Sequence, residues 1–397
     1  MTDIVARRTR RDFLPFNPPL VGEEEIREVV DTLRSPWITT GPKTRRFEEE
    51  FSGFVRASGG AGGALALNSC TAAMHVALAC LGIGAGDEVI TTPMTFTATV
   101  NVIEHVGARP VLVDVEPDTL NIDPQRVAAA ITPRTRALLP VHYAGHPAER
   151  DVLEALARAH NLALVEDAAH ALPASFRGVP IGAGRNPVAF SFYATKNLTT
   201  AEGGMLTADP EFIEQARIMA LHGMSRDAWK RYDQGGSWRY EVIAPGFKYN
   251  LTDVAAAIGL WQLRKQDRFH RRRAEIVEAY TLAFGAEEAL EPPVRRPHVE
   301  HAWHLYVLRL RPQALRIGRD QFIDELTKRN IGTSVHFIPI HLHPYYRKKY
   351  GYVAGDFPVA VSNFERLLSL PLHPGLTDQD VADVIEAVLD VVQTYRR

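Results

Sequence analysis

The sequence predicts an α/β protein: a mostly parallel central sheet flanked by helices, followed by a smaller C-terminal α+β domain. Three observations carry this prediction. Between residues 64 and 208, seven short apolar runs alternate with helical patterns: ALALN (64–68), EVITT (88–92), PVLVDV (110–115), ALLPV (137–141), LALVED (162–167), VAFSFY (188–193) and GMLTA (204–208). These runs are apolar on both faces, as strands covered by helices on both sides must be. Finally, 397 residues with 46% hydrophobic content supply a sizeable core, yet no apolar run approaches the roughly 18 residues of a membrane helix.

The elements follow in order. Arginine-rich residues 1–20 end in the proline-rich LPFNPPL and read as an irregular arm. The large domain, residues 21–265, opens with Ile26, Val29, Val30 and Leu33 at i, i+3, i+4 and i+7, and Phe47, Phe51, Phe54 and Val55 repeat the device. Both segments are expected to be amphipathic helices. The strand runs come next, then a polar, aromatic-rich stretch (222–250) and the helix LTDVAAAIGLWQLRKQ. The small domain, residues 266–397, begins with a helix placing Phe269, Ile276, Val277, Tyr280 and Phe284 on one side. After the EPPVRRP break it continues with the strand-like WHLYVLRL, a helix around RDQFIDELTKRN and a final helix opened by the capping box Thr377 to Asp380.

Composition narrows the function. Lys+Arg 45 against Asp+Glu 47 gives a formal charge of −2, so no field attracts a polyanion, and neither nucleic acid nor membrane is expected as a partner. Two cysteines, Cys70 and Cys80, build no disulfide framework, and MTDIVARRTRRDF lacks an apolar signal region. A cytoplasmic location is expected. Only eight of the 45 cationic residues are lysines. A lysine in an apolar setting therefore invites a chemical explanation, because it can lose its proton and arginine effectively cannot.

In open α/β sheets ligands bind beyond the carboxyl ends of the strands. Asp167 ends LALVED, where it is either a cap or ion-pair partner, or an anion in a ligand crevice. Lys196 follows VAFSFYAT, where it is either a surface residue or an amine whose pKa is lowered for attack on a carbonyl. ALALN-SCT-AAMHVALACL reads as strand, turn and buried helix. The hydroxyls of Ser69 and Thr71 are N-caps or, with the free N–H groups of the helix terminus, a phosphate cradle. Phe96, just after EVITT, is a core aromatic or a wall for a planar ring. No Gly-x-x-x-x-Gly-Lys-Ser/Thr loop exists, and GAGRNP puts Pro187 where a Rossmann fingerprint needs glycine. Taken together, a phosphate cradle, an aromatic wall, a strand-end carboxylate and a strand-end amine are what pyridoxal 5′-phosphate (PLP) requires.

The motifs SFYATKNLTTAEGGM, VEDAAHAL, NSCTAAMHVALACLGIGAGDEVITTPMTFTAT and HGMSRDAW resemble the DegT/DnrJ/EryC1/StrS family of sugar aminotransferases, from about Phe16 to the C-terminus. The resemblance implies a fold-type-I aminotransferase and a homodimer with shared active sites. It also implies transfer of an amino group from L-glutamate to a keto group of a nucleotide-linked sugar. By the same resemblance, Lys196 matches the Schiff-base lysine, Asp167 the partner of the pyridinium nitrogen and Ser191 a phosphate ligand. Ser69, Cys70 and Thr71 match the phosphate turn, Phe96 the stacking aromatic and His170 a contact to the ring or its hydroxyl. Asn250, in GFKYNLTD, matches an asparagine that reaches the partner subunit's cofactor. Cys70 stands where many members have glycine, and alanine also occurs there. The retained Lys196 disfavours the family's dehydratases, which carry histidine at that position.

The segment VHFIPIHLHPYY gathers His336, His341, His343 and Tyr345. Its spacing is not that of a zinc site, so no metal is expected. The resemblance makes the segment a lining of the sugar and diphosphate pocket, with His336 and Tyr345 as substrate candidates beside a packed-loop alternative. Residues 222–250 read as a nucleotide-diphosphate contact, with Lys248 the candidate, or as a dimer-interface loop. HGMSRDAW looks most like members acting on 4-keto sugars, including the UDP-4-amino-arabinose type. A 3-keto-sugar aminotransferase, a PLP-binding regulator without turnover and a non-PLP nucleotide-binding or scaffold protein are the alternatives.

Overall fold

The computed structural model describes residues 10–56, 62–224 and 240–397; residues 1–9 of the arm and 225–239 of the aromatic, basic stretch lie outside the described residues. The chain opens with α1 (Glu23–Arg34) and α2 (Pro42–Val55). Strands and helices then alternate: β1 (Gly63–Leu67), α3 (Cys70–Cys80), β2 (Glu88–Thr91), α4 (Thr97–His105), β3 (Arg109–Leu112), α5 (Pro124–Ala130), β4 (Thr135–Leu138) and α6 (Arg150–Ala159). Next come β5 (Ala163–Leu164), β6 (Glu166–Asp167), the hairpin of β7 (Ser175–Phe176) and β8 (Val179–Pro180), β9 (Val188–Ser191), β10 (Gly204–Ala208) and α7 (Pro210–Met219). Each of the seven apolar runs thus contains a strand.

These strands form one layer. β2 pairs in parallel with β3 and β4, β4 with β5, and β6 with β9, whereas β10 is antiparallel to both β9 and β1. Residues 163–168 join the two halves by alternating their backbone donors: Val165 and Asp167 bond to Leu138 and Pro140, Glu166 and Ala168 to Pro187 and Ala189. Side chains alternate across the layer with the strand period of two. Leu65, Leu67, Ala189 and Leu206 join one buried cluster with α3, while Ala64, Ala66, Val188, Phe190 and Met205 join another with Phe47, Phe51 and Leu260. Both faces are therefore core, as the unbroken apolar runs require.

The C-terminal part comprises α8 (Asp253–Arg264), α9 (Gln266–Phe284), β11 (Leu290–Glu291), β12 (Val299–Glu300), β13 (Tyr306–Leu310), α10 (Arg319–Lys328), α11 (Pro344–Tyr350), α12 (Pro358–Phe364), β14 (Leu367–Leu370) and α13 (Asp378–Tyr395). β13 lies between β11 and β14, antiparallel to both. Ile276, Val277, Tyr280 and Phe284 of α9 pack with Tyr306, Leu308 and Val388 in one cluster. Thr377 caps α13 as expected: Oγ1 accepts from Asp380 N–H at 3.1 Å and Asp380 Oδ2 accepts from Thr377 N–H at 2.9 Å. In WHLYVLRL the strand begins only at Tyr306, because Trp303 has φ of 51°.

Two features add to the sequence reading. Ile26, Val30 and Leu33 of α1 are 49%, 38% and 59% exposed, and the helix buries Glu25 and Thr32 instead. A polar seam causes this: Glu25 accepts from Gln262 Nε2 at 2.8 Å and Lys265 Nζ at 2.5 Å, and Trp261 Nε1 donates to Glu28 at 3.0 Å. The arm is irregular but anchored, with Leu14 buried beside Ile331 and Asn17 Nδ2 donating to Thr195 O at 2.8 Å.

Candidate active site

β6 and β9 are neighbours, and the residues ending them converge. Asp167 is buried at the tip of β6. A carboxylate taken out of water needs donors, and it has them. Thr99 Oγ1 donates to Oδ2 at 2.8 Å, Ala169 N–H donates to Oδ1 at 3.0 Å, and Cys70 Sγ lies 3.8 Å from Oδ1. Cys70 and Thr99 reach it because α3 and α4 both start just past strands of this layer, β1 and β2.

Lys196 follows β9 in a turn closed by its own N–H to Tyr193 O. Burial pulls its amine down to about 8, against the opposing pull of Asp167 and Cys70. Its neighbours are pinned on both sides. Asn17 holds Thr195, and Asn197 Nδ2 donates to Leu172 O and Ala302 O, each at 2.8 Å, while its Oδ1 meets His304 Nδ1 at 3.1 Å. The His170 ring lies 4.3 Å from that of His304 and stacks on Phe337 at 5.8 Å. Phe337 in turn meets Phe96 at 6.0 Å and His336 at 5.2 Å. Burial, reinforced by neighbouring positive groups including Lys196, drives His170 and His304 well below the usual histidine range and His336 to about 4. Burial thus disfavours the charged form of all three imidazoles.

Beside this pair lies an anion cradle. Ser69 caps α3, its Oγ accepting from Ala72 N–H at 3.0 Å, so the cap reading of this hydroxyl holds. The N–H groups of Cys70 and Thr71, at the first positions of the helix, have no partner among the described residues. Gly204 runs directly against this turn: a Cβ there would stand 2.4 Å from Ser69 C and 2.5 Å from Cys70 N. Strand register aligns Ser191 with Gly204, Gly204 with Leu67, and Leu67 with Asn250. Ser191 therefore stands beside Gly204 at the cradle, and Asn250 stands at the other end of the row, beyond Leu67.

The predicted residues divide accordingly. Asp167, Lys196, Cys70, His170 and His336 come together, with Ser69, Thr71 and Ser191 at the cradle. Phe96 stands 61% exposed at the start of α4, leaving ring surface open to a planar group. Asn250 is engaged within its own chain, its Nδ2 donating to Thr40 Oγ1 at 2.5 Å and its Oδ1 accepting from Lys248 Nζ. Tyr345 does not join the cluster. Its hydroxyl donates to Glu104, which also accepts from Lys349 Nζ and Tyr350 Oη at 2.7 Å each. Sequence reasoning missed Thr99, Asn197, His304, Phe337 and Asn17. A buried strand-end carboxylate demands a side-chain donor, and that demand points to the hydroxyls of TTPMTFTAT; nothing local marks Asn17.

These groups fit PLP: free N–H groups for a phosphate, a buried carboxylate for a ring nitrogen, a buried amine for an aldehyde, and His170 with its Nδ1 unpartnered among the described residues. A model of the DegT/DnrJ/EryC1/StrS aminotransferase family matches residues 19–389. The chain is 53% identical over 388 residues to an uncharacterized protein of Methanocaldococcus jannaschii, covering 98% of this chain and 100% of that one. It is 50% identical over 386 residues to the spore coat polysaccharide biosynthesis protein SpsC of Bacillus subtilis, covering 97% and 98%. Its fold matches Spr1654 of Streptococcus pneumoniae, assigned as a sugar aminotransferase and solved in PLP and PMP forms. Against the PMP form the TM-score is 0.89, with 38% identity over 96% of this chain and 99% of that one. The fold is thus that of fold-type-I aminotransferases with PLP as cofactor, and the chain belongs to the DegT/DnrJ/EryC1/StrS aminotransferase family.

Proposed function

We propose that this protein moves an amino group from L-glutamate to the C4 keto group of a nucleotide-linked deoxy sugar, in two half-reactions of ping-pong type. The observation that carries the reading is the Lys196 amine, held at about 8 by burial, at the end of one strand beside the buried Asp167 carboxylate at the end of its neighbour. PLP, when bound, supplies an electron sink and carries the amino group between the two substrates. Asp167 keeps a proton on the ring nitrogen. Lys196 Nζ would move a proton from the amino-acid carbon to the aldehyde carbon of the cofactor in the first half-reaction, and from there to the sugar carbon in the second, work suited to an amine whose pKa lies near the operating pH. Ser69, Thr71 and Ser191, with the N–H groups opening α3, hold the phosphate. Phe96 and His170 bound the ring, and Cys70 fills the space between α3 and Asp167.

His336 is the substrate residue best supported, since its ring lies in the aromatic row that reaches His170. We assign Lys248 to the diphosphate and Tyr345 to the outer rim of the sugar pocket. The protein acts as a homodimer in which Asn250 serves the partner's site; the exposed apolar face of α1 supports this. The names of SpsC and Spr1654 support a sugar acceptor, and the nucleotide link and the C4 position are this reading's own.

The test is a panel of nucleotide-linked 4-keto and 3-keto sugars incubated with PLP-loaded protein and L-glutamate, with product position read by NMR. An amino group at C4 is expected, and one at C3 would correct the regiochemistry. Visible absorbance that glutamate leaves unchanged would indicate a binder without turnover, and Lys196→Ala should lose both turnover and that absorbance.

A further inference from the structure

We propose that Thr95 and Thr99 form a hydroxyl relay that positions Asp167 and holds it ionised for the aminotransferase reaction; this rests on reading Asp167 as the partner of the cofactor's ring nitrogen. Thr99 Oγ1 lies 2.8 Å from Asp167 Oδ2 and 2.7 Å from Thr95 Oγ1, and all three residues are buried, Thr99 completely. An ionised carboxylate only accepts, so the single hydroxyl proton of Thr99 goes to Asp167. Thr99 must then accept from Thr95, and the chain has one direction: Thr95 to Thr99 to Asp167. Aligned hydroxyls in a low-dielectric interior polarise one another, and the bond ending on a charge is the strong one.

Other donors do not replace it. Ala169 N–H serves Oδ1, the other oxygen. The Cys70 thiol lies 3.8 Å from that same Oδ1 and 3.5 Å from Ala189 O, so its one weak proton is shared between two acceptors. Thr99 is therefore the side-chain donor to Oδ2. Its place near the start of α4, where helix N–H groups add positive potential, favours the anion further. A proton on Oδ2 would reverse the relay and leave the buried Thr95 hydroxyl without its acceptor, so the relay favours the ionised form at that oxygen.

The test is Thr99→Val, which keeps the shape and removes the hydroxyl, with Thr99→Ser as rescue. Losing a hydrogen bond to a charged group corresponds to about a 10- to 100-fold change. The Val variant should bind PLP about tenfold more weakly and lose about 10- to 100-fold in kcat, with the KM for the sugar within about twofold. Thr99→Ser should restore both to within about threefold. Thr95→Val, one bond further out, should show the same losses at about 3- to 10-fold, and it decides the matter if the Thr99 variant does not fold. Wild-type PLP affinity and kcat in the Val variants, or failure of serine to rescue, overturns the relay. A wild-type protein that gains no visible absorbance with PLP overturns instead the reading of the site beneath it.

Discussion

Glu166 immediately precedes Asp167 and is wholly buried, so replacing its cationic partner tests how the strand that carries the site is held. Arg150 Nε meets Glu166 Oε2 at 2.7 Å and Nη2 meets Oε1 at 2.9 Å. His142 Nδ1 accepts from Ala148 N–H at 3.1 Å, which leaves Nε2 as the protonated nitrogen, facing Glu166 Oε2 at 3.1 Å. Burial alone would push the Glu166 carboxyl up. The Arg150 charge and the His142 hydrogen bond outweigh it and lower the group from 4.5 to about 2. That lowering corresponds to about 3 kcal/mol. Because the folded-state pKa is depressed, this stability is present above about 4.5 and is lost as pH falls toward 2. Arg150→Met strands the carboxylate, and a buried pair broken on one side costs about 3–5 kcal/mol. With burial then opposed chiefly by the His142 hydrogen bond, the folded-state pKa of Glu166 rises, and the sign reverses: the variant gains stability as pH falls from 7 to 5. Urea unfolding of the apoprotein at pH 7 and pH 5, followed by circular dichroism, measures both effects. A loss under about 1 kcal/mol at pH 7, or a variant that gains no stability between pH 7 and pH 5, would refute the reasoning.

Two further outcomes follow from the same geometry. The Lys196 amine sits at about 8 rather than 10.5, so a folded-state pKa lowered by burial penalises folding below pH 8 and releases the penalty between about 8 and 10.5. Capture of PLP by the apoprotein, followed by visible absorbance in stopped flow, should accelerate as pH rises through about 8, and a flat profile between pH 7 and 9 contradicts the assignment. Burying a leucine side chain contributes about 1.5–3 kcal/mol, so Leu33→Glu on the exposed face of α1 should weaken self-association at least about tenfold in sedimentation, and unchanged association would remove α1 from the interface.

The strands were legible because burial on both faces leaves an unbroken apolar run. Asp167 and Lys196 were legible because each stands just past such a run, where chemistry is the economical reason for a charge. Periodicity in α1 marked an amphipathic helix but not which surface its apolar stripe meets. Glu25 and Gln262, 237 residues apart in sequence, decide that. The same long-range logic removes Tyr345 from the cluster, since Glu104 captures it across 241 residues. The need of a buried carboxylate for a donor pointed to the hydroxyls of TTPMTFTAT as a group, but which of them meets Asp167, 68 positions after Thr99, is set only by the fold. Strand order, which sets Ser191, Gly204, Leu67 and Asn250 in a row, is likewise a property of the assembled sheet.

Charge placement explains how one buried site accommodates these groups. Glu166 and Arg150 neutralise each other behind the strand, and His170, His304 and His336 are kept uncharged by burial. Asp167 is fixed by donors and the Lys196 amine is weakened by burial, and these are the two groups the proposed reaction would use. A dianionic phosphate then needs no global positive field, which a chain of formal charge −2 does not have. It needs the open N–H groups of Cys70 and Thr71, the positive end of α3, and a glycine at 204 that lets the strand lie against them. A side chain at that glycine would push the turn away, and because Cys70 of that turn lies 3.8 Å from Asp167 Oδ1, the shift would be felt at the carboxylate too. The proposed cradle and the proposed acid–base pair are therefore coupled through Cys70.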